Sequence, residues 1–322
     1  MKKALLASIL AGILAAPTVA LAQAYPAKPV RLIVTFAAGG GADFVARAMA
    51  PKMGEALGQS IVVDNRPGAN GAVGADAVAK AAPDGYTLLL GAAGTMVIAP
   101  HLGAQMPFDT FRDLVPVTLA ASSPFIVTLN PGVQASSIRD LIALAKANPG
   151  KINYGSSGTG GAPNLAGELF KSMTGVSMVH VPYKGLGPAI TDLLGGQIQV
   201  VFADVGLVRG HLAAGKLKGL GVTGAARSSS VPDMPTVAEA GVPGYASGTW
   251  YGVLAPAGTA GDIVAKVNGA VRKALEDADV KAAFAKQGID AAGSTPAEFG
   301  TYMRAESDKW GKVVRDAGIK AQ

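Results

Sequence analysis

Residues 30–36 read VRLIVTF, an apolar run with β-branched members, and a glycine-rich break separates it from a helical pattern that starts at about Phe44. IVVDN (61–65), a helical stretch over 71–81 and YTLLLG (86–91) continue the alternation. This strand–helix–strand–helix–strand rhythm predicts a parallel sheet with helices on both faces. NRPGANG (65–71) and PDGY (83–86) supply the turns.

A second set begins after PVTLAASSPFIVTLN (116–130). Ser137 followed by Asp140 resembles a capping box and opens a helix over 138–148, which Pro149 and Gly150 stop. Next come INYGSSG (152–158), a helix over 163–173, the strand SMVHVPY (177–183), a helix over 187–194 and strands over 197–203 and 218–224. Two similar α/β modules are therefore predicted side by side. The final part is helical, over 259–277 and 295–318. Thr295, Pro296 and Glu298 fit N-cap, N1 and N3, and Phe299, Met303, Trp310, Val313 and Val314 recur at helical spacing, as a core face does.

The first residues, MKKALLASILAGILAAPTVALAQA, place Lys2 and Lys3 before an apolar run that ends in small residues. That is the pattern of a secretory signal peptide, with cleavage expected near Ala22 or Ala24. Pro17 and the small residues argue against a membrane anchor, and no later stretch has the ~18 apolar residues a spanning helix needs. Removing Lys2 and Lys3 lowers the formal charge from +6 to +4, with 26 basic against 22 acidic residues. The basic residues are dispersed, which excludes a nucleic-acid surface of the usual kind. The absence of cysteine removes disulfides, thiolate metal sites, a Cys nucleophile and a lipid-anchor Cys together. An exported chain of this kind is expected to diffuse in a bacterial periplasm. Its length, about twice the usual ~100–150-residue domain, suits two domains.

Two glycine-rich loops share one plan. VTFAAGGGADFVARAM (34–49) and NYGSSGTGGAPNLAGELF (153–170) each run from strand to glycine-rich turn to helix, with Asp43 or Pro163 in the helix's first turn. A helix N-terminus presents unpaired N–H groups and about half a positive charge, and glycine lets that backbone approach a guest. An anion is the natural guest, although the same glycines also suit plain tight turns. Nucleotide binding is disfavoured, since GGGADF (39–44) lacks the third glycine of G-x-G-x-x-G and no G-x-x-x-x-G-K-[ST] occurs.

Hydrolysis is the other alternative. Ser156 and Ser157 stand on a strand-to-helix turn, but GSSG (155–158) is not G-x-S-x-G, and only His101, His180 and His211 are available as bases. His180, within a strand-like run, reads as a structural residue. No H-E-x-x-H, calcium loop or carboxylate cluster carries metal chemistry, so neither metal nor cofactor is expected. Asp43 is read as capping its own helix with its carboxylate turned to the backbone. Asp204 follows a strand end, where ligands collect in open α/β sheets, so binding and capping are equally open to it.

Over essentially the whole mature chain, these residues resemble Bug-type extracytoplasmic solute receptors, the TctC-like substrate-binding components of tripartite tricarboxylate transporters. The resemblance is carried by YPAKPVRLIVTFAAGGGADFVAR (25–47), VVDNRPGANG (62–71), APDGYTLL (82–89), YGSSGTGGAPNLAGELF (154–170), HVPYKGLGPAITDLLGGQI (180–198), AAGKLKGLGVT (213–223) and PTVAEAGVPGYASGTWYGVLAPAGT (235–259). It implies a two-lobed Venus flytrap, each lobe a mostly parallel sheet flanked by helices, with crossing segments near 117–124 and 244–252. The expected division is a signal peptide over 1–24, a first lobe over 25–122, a second over 123–245 and a return to the first over 246–322.

The resemblance further implies a small carboxylate gripped by backbone N–H groups of two opposed loops, not by an Arg clamp. By position, the first loop gives Phe36, Ala37, Ala38, Gly39, Gly40, Gly41 and Ala42, and the second gives Ser156, Gly158, Thr159, Gly160, Gly161 and Ala162. Ala93, Gly94, Thr95, Tyr183 and Asp204 are expected to face the rest of the ligand. The implied partners are membrane permease subunits, or a signalling protein if the same fold serves as a sensor; the chain is expected to be a monomer and not an enzyme. Three positions depart from the family pattern: Ala42 replaces a common Thr, Asn164 a common His, and Phe-Ala-Asp at 202–204 shifts a carboxylate by one position. In an extended segment that shift turns the side chain to the opposite side, which bears on the distal group of the ligand.

Overall fold

The computed structural model describes residues 25–320, so the expected signal peptide lies outside the described residues. The first half-module contains β1 (Val30–Val34), α1 (Gly41–Leu57), β2 (Ile61–Asn65), α2 (Ala72–Ala79) and β3 (Thr87–Ala92). Then β4 (Leu114–Ser123) leads straight through Pro124 into β5 (Phe125–Leu129). α3 (Ile138–Ala147), β6 (Ile152–Ser156), α4 (Ala162–Thr174), β7 (Met178–Pro182), α5 (Leu186–Leu194), β8 (Val200–Asp204), α6 (Val205–Ala213) and β9 (Lys218–Val222) follow. The chain closes with β10 (Thr249–Pro256), α7 (Gly261–Glu276), α8 (Ala278–Lys286), the short β11 (Asp290–Ala291) and α9 (Pro296–Ala317).

The strands form two sheets, ordered β11-β4-β10-β3-β1-β2 and β7-β6-β8-β5-β9. Both are mixed, where the sequence pattern predicted mostly parallel sheets. β1 pairs in parallel with β2 and β3, whereas β10 runs antiparallel to β3 and β4. In the second sheet β6 pairs in parallel with β7 and β8, but β5 lies antiparallel to β8 and β9. The crossing strands cause the difference: β5 follows β4 through Pro124 and β10 enters the first sheet after the helix-free segment 223–248, so neither has the helical crossover that makes neighbours parallel. The single apolar stretch over 116–130 is thus two strands in two sheets, divided at Pro124.

Period-two alternation sorts each strand between two helical layers. Leu32, Val34, Leu88 and Leu90 pack with Val45, Met49, Val271 and Phe284 of α1, α7 and α8. Ile33 and Leu89 face the other way, toward α2 and α9. In the second sheet Val200 and Phe202 face Leu165 and Phe170 of α4, while Val201 and Ala203 face Ile190 and Val208 of α5 and α6. One apolar cluster runs from beneath the first sheet through Phe299, Met303 and Trp310 of α9 into Phe170 of α4, so the helical face predicted for α9 links both halves.

Close backbone approach fixes some glycines. A Cβ on Gly252 would overlap the Phe299 ring, and one on Gly167 would overlap the Tyr154 ring. The α9 cap is the expected one, with Thr295 and Glu298 in reciprocal bonds.

Candidate functional site

The strand registers bring the candidate loops to one edge. Phe125 pairs with Asp204, Tyr251 pairs with both Ala92 and Ala121, and Thr249 pairs with Ser123. The C-terminal ends of β1, β3 and β4 therefore meet those of β6 and β8 across Pro124, the edge where open α/β sheets take ligands.

Helix α1 begins at Gly41, three residues before the Phe44 that the sequence pattern suggested. Gly40 is its N-cap, in extended conformation, so the triple glycine itself forms the helix entry. Gly39, at φ 87°, makes the turn that only glycine adopts easily. Its N–H donates to Asp43 Oδ2 (2.9 Å), Arg47 Nε donates to Asp43 Oδ1 (2.8 Å), and Arg47 also reaches Asn65, whose amide donates to Phe36 O. Burial raises the Asp43 pKa, but the bonds from Arg47 and Gly39 outweigh it and hold the carboxyl below its ordinary value. Asp43 does turn to the backbone, as expected, and it uses up the Gly39 N–H in doing so. The helix start leaves the N–H groups of Gly40, Gly41 and Ala42 without intrahelical acceptors.

The second loop repeats this construction. Gly161 caps α4 in extended conformation, Gly160 has φ 76°, and its N–H donates to Asn164 Oδ1 (2.9 Å). Asn164, not Pro163, is the counterpart of Asp43. Its amide donates to Tyr154 Oη (2.8 Å), and that hydroxyl donates to Glu168, which is paired with Lys171. The unusual Asn164 thus holds its own loop and is buried.

A cleft of about 360 Å³ opens between the halves, with Gly39, Gly40, Gly41 and Phe44 on one wall and Asp204, Gly206 and Leu207 on the other. Tyr251, Ser123, Gln287 and Ile289 complete it. A Cβ on Gly41 would stand 2.5 Å from Tyr251 Oη, so a side chain there would have to displace the phenol. Asp204 is the N-cap residue of α6 yet makes no side-chain cap bond, and burial pushes its carboxyl up to about 6. Burial, with the Asp204 charge nearby, raises the Tyr251 phenol as well.

Several of the expected residues turn their side chains away from the cleft, which leaves the backbone groups expected of Phe36 and Ala42 untouched. Ala42 turns its methyl into the core, and Phe36 packs partly against the same cluster. Ala93 and Thr95 are fully buried, and Thr95 Oγ1 donates to Asn70 O (2.6 Å), which fixes the turn before α2. Gly94 does face open space. The Tyr183 phenol donates to Asp192 Oδ2 (2.7 Å), and burial and this carboxylate push it up to about 12. Ala37 and Ala38 are exposed beside the cleft without lining it.

The second loop does not line this cleft. A Cβ on Gly160 would lie 3.1 Å from Leu102 Cδ1, so the loop tip rests on the turn Ala99–Leu102 of the first half. Gly158, Thr159, Gly161 and Ala162 are half-buried around it. Ser156 Oγ does meet His180 Nε2, at 2.7 Å, but it also donates to Gly158 O (3.0 Å) and accepts the Gly158 N–H (3.1 Å). Ser156 is fully buried, and burial lowers the His180 pKa. The pair braces the turn and presents no open nucleophile.

Sequence reasoning missed Phe44, Tyr251, Ser123, Gly206, Leu207, Gln287 and Ile289. Phe44 lies just past the first loop, and Tyr251 left a trace, a polar aromatic beside Gly252 within an apolar strand; the rest are gathered by strand crossing. A larger cavity of about 780 Å³ lies among Arg227, Ser247, Lys281 and Tyr302; it shares Ile289 with this cleft and contains none of the predicted loop residues. Among the described residues no helix is long and apolar enough to cross a membrane, and no group of His, Cys, Asp or Glu could hold a metal ion.

Comparison with known proteins agrees over nearly the full chain. The family model described as "Tripartite tricarboxylate transporter family receptor" matches residues 45–319. Protein BugT of Bordetella pertussis is 38% identical over 300 residues, covering 93% of this chain and 92% of that protein. A structure from R. palustris, solved with adipate, is 36% identical with a TM-score of 0.74, covering 92% of this chain and 99% of that one. MatC from Rhodopseudomonas palustris, with bound malate, is 32% identical with a TM-score of 0.70, covering 90% and 100%. The two-sheet fold, the matched family span and these full-length likenesses lead to one conclusion: the chain belongs to the Bug-type, TctC-family receptors of tripartite tricarboxylate transporters.

Proposed function

We propose that this protein is a periplasmic receptor that captures a small carboxylate and delivers it to the membrane permease subunits of a tripartite tricarboxylate-type transporter. The observation that carries this reading is the α1 N-terminus, whose Gly40 and Gly41 backbone lines a cleft between two halves of the molecule. Free N–H groups and the helix dipole there suit a carboxylate oxygen. The adipate and malate bound by relatives fit that chemistry. No side chain has to react, so the protein binds its ligand and releases it unchanged.

The lobes divide at Pro124 and near Ser247, and the ligand draws them together by contacting both. The second loop, with its matching construction, approaches the ligand on closure and adds the N–H groups of Gly161 and Ala162. Export uses the N-terminal peptide, cleaved near Ala22 or Ala24. The mature protein acts as a monomer.

The test is calorimetry against a set of mono-, di- and tricarboxylates, with Gly40→Glu as the control. Gly40 has an ordinary backbone conformation, and a Cβ there meets only Ala37 O, at 3.6 Å, so an acidic side chain fits without strain. Loss of binding in this variant, with unchanged folding, supports anion capture at α1. Equal affinity in both proteins would overturn it.

A further inference from the structure

The cleft holds a carboxylate that no charged or hydrogen-bonding group balances among the described residues. Asp204 lies on its second-lobe wall, across from Gly39, Gly40 and Gly41. Among the described residues it makes no ion pair and no side-chain hydrogen bond, even though it occupies an N-cap position. Lys, Arg and His are absent from the cleft lining, and the titratable neighbour there is the Tyr251 hydroxyl. By contrast, Asp43, on the same helix entry, is covered by Arg47 and the Gly39 N–H.

We infer that Asp204 selects, among small carboxylates, those carrying a hydroxyl or ammonium donor at the end remote from the carboxylate held at α1. This rests on the receptor reading above and names the ligand class for the same site. A partly buried carboxylate without a partner is costly, and a ligand donor relieves that cost through a charge-assisted hydrogen bond. A second carboxylate on the ligand does the reverse, because it brings a like charge into a cleft of about 360 Å³. The opposite walls thus carry opposite preferences: the helix end takes the anion, and Asp204 takes the donor.

Protonation supplies a second handle. Burial pushes the Asp204 carboxyl up to about 6. Above that pH it is an acceptor only, and below it the protonated group can donate to a ligand carboxylate.

The experiment is calorimetry at pH 7.5 with two matched sets: succinate, 4-hydroxybutyrate and 4-aminobutyrate, then adipate, 6-hydroxyhexanoate and 6-aminohexanoate. The wild type is expected to bind a hydroxy or amino acid at least about tenfold tighter than the dicarboxylate of the same length. Asp204→Asn, whose amide can donate to a carboxylate, is expected to abolish or reverse that preference. A dicarboxylate bound as tightly as its partners in both proteins overturns the role of Asp204 and leaves the receptor reading standing. If none of the six binds either protein, this inference falls; the carboxylate reading falls with it only if the wider set of mono-, di- and tricarboxylates also fails to bind. Should the variant misfold, wild type decides: the affinity ratio of dicarboxylate to hydroxy acid must rise between pH 7.5 and pH 5, and a flat ratio overturns the inference.

Discussion

Asp43 and Asn164 occupy the same place in two loops 121 residues apart, each accepting the N–H of the glycine four positions earlier, both at 2.9 Å. In both cases the glycine has a positive φ, and the next residue is a glycine N-cap. Each acceptor spends a loop N–H to fix the loop, which leaves the helix-start N–H groups aimed outward at no further entropic cost.

Removing either acceptor should loosen its loop. Asp43→Asn keeps an acceptor for Gly39 but loses the charged bond to Arg47, at about 1 kcal/mol, while Asp43→Ala or Asn164→Ala costs about 2 kcal/mol by stranding buried partners. Because the folded Asp43 pKa lies below its ordinary 3.8, its contribution is present above that value and lost as pH falls through the folded one. Urea midpoints for wild type and Asp43→Asn should therefore converge as pH falls below about 3.8.

Ser156 and His180 should behave as a brace. Ser156→Ala is expected to lower stability by about 1 kcal/mol and to leave any background ester hydrolysis unchanged, measured with a chromogenic ester. His180 titrates below its ordinary 6.5 because burial disfavours the charged ring. Its neutral form is the folded one, so stability declines as pH falls from 6.5 toward the folded pKa. His180→Asn should remove that decline from a denaturation series between pH 8 and pH 5.

Two glycines should fail differently. Gly252→Ala drives a methyl into the buried Phe299 ring and is expected to cost about 3 kcal/mol in thermal or urea unfolding. Gly41→Ala meets only the far end of Tyr251, which can shift, so stability should change by less than about 1 kcal/mol. Ligand affinity should drop about tenfold, because the displaced phenol enters the cleft.

At the start of α9, Thr295→Ala is expected to cost about 1 kcal/mol by removing the cap. Glu306→Ala should cost about 3 kcal/mol, since the buried carboxylate accepts the Trp310 indole N–H (3.0 Å) and pairs with Lys309. Differential unfolding curves of the two variants check the ranking.

What was legible in the sequence was local. The apolar rhythm gave most strands, though not β10 or β11, and most helices; Thr295 and Glu298 gave a helix start, and Phe299, Met303 and Trp310 gave the face that α9 buries. Two loops of similar make-up were also visible, because glycine, an extended cap and a helix dipole act within a few residues. Helices α6 and α8 and the Gly41 start of α1 were not, since Asp204 and Asp277 at N-cap positions and a run of glycines read equally well as turns.

Tertiary structure decided which of those residues meet. Trp250 and Tyr251 are neighbours in one strand, yet Trp250 is buried against Phe299 while Tyr251 lines the cleft, a choice set by sheet register. The crossing at Pro124 brought Asp204 opposite Gly40, and packing on Leu102 kept Gly160 out of the same cleft. Such pairings join residues 49 (Trp250 and Phe299), 58 (Leu102 and Gly160) and 164 (Gly40 and Asp204) positions apart. Backbone propensity and side-chain periodicity act over a turn or a strand, so the sequence by itself determined the pieces and the loop chemistry, and only chain crossing and packing decided the site.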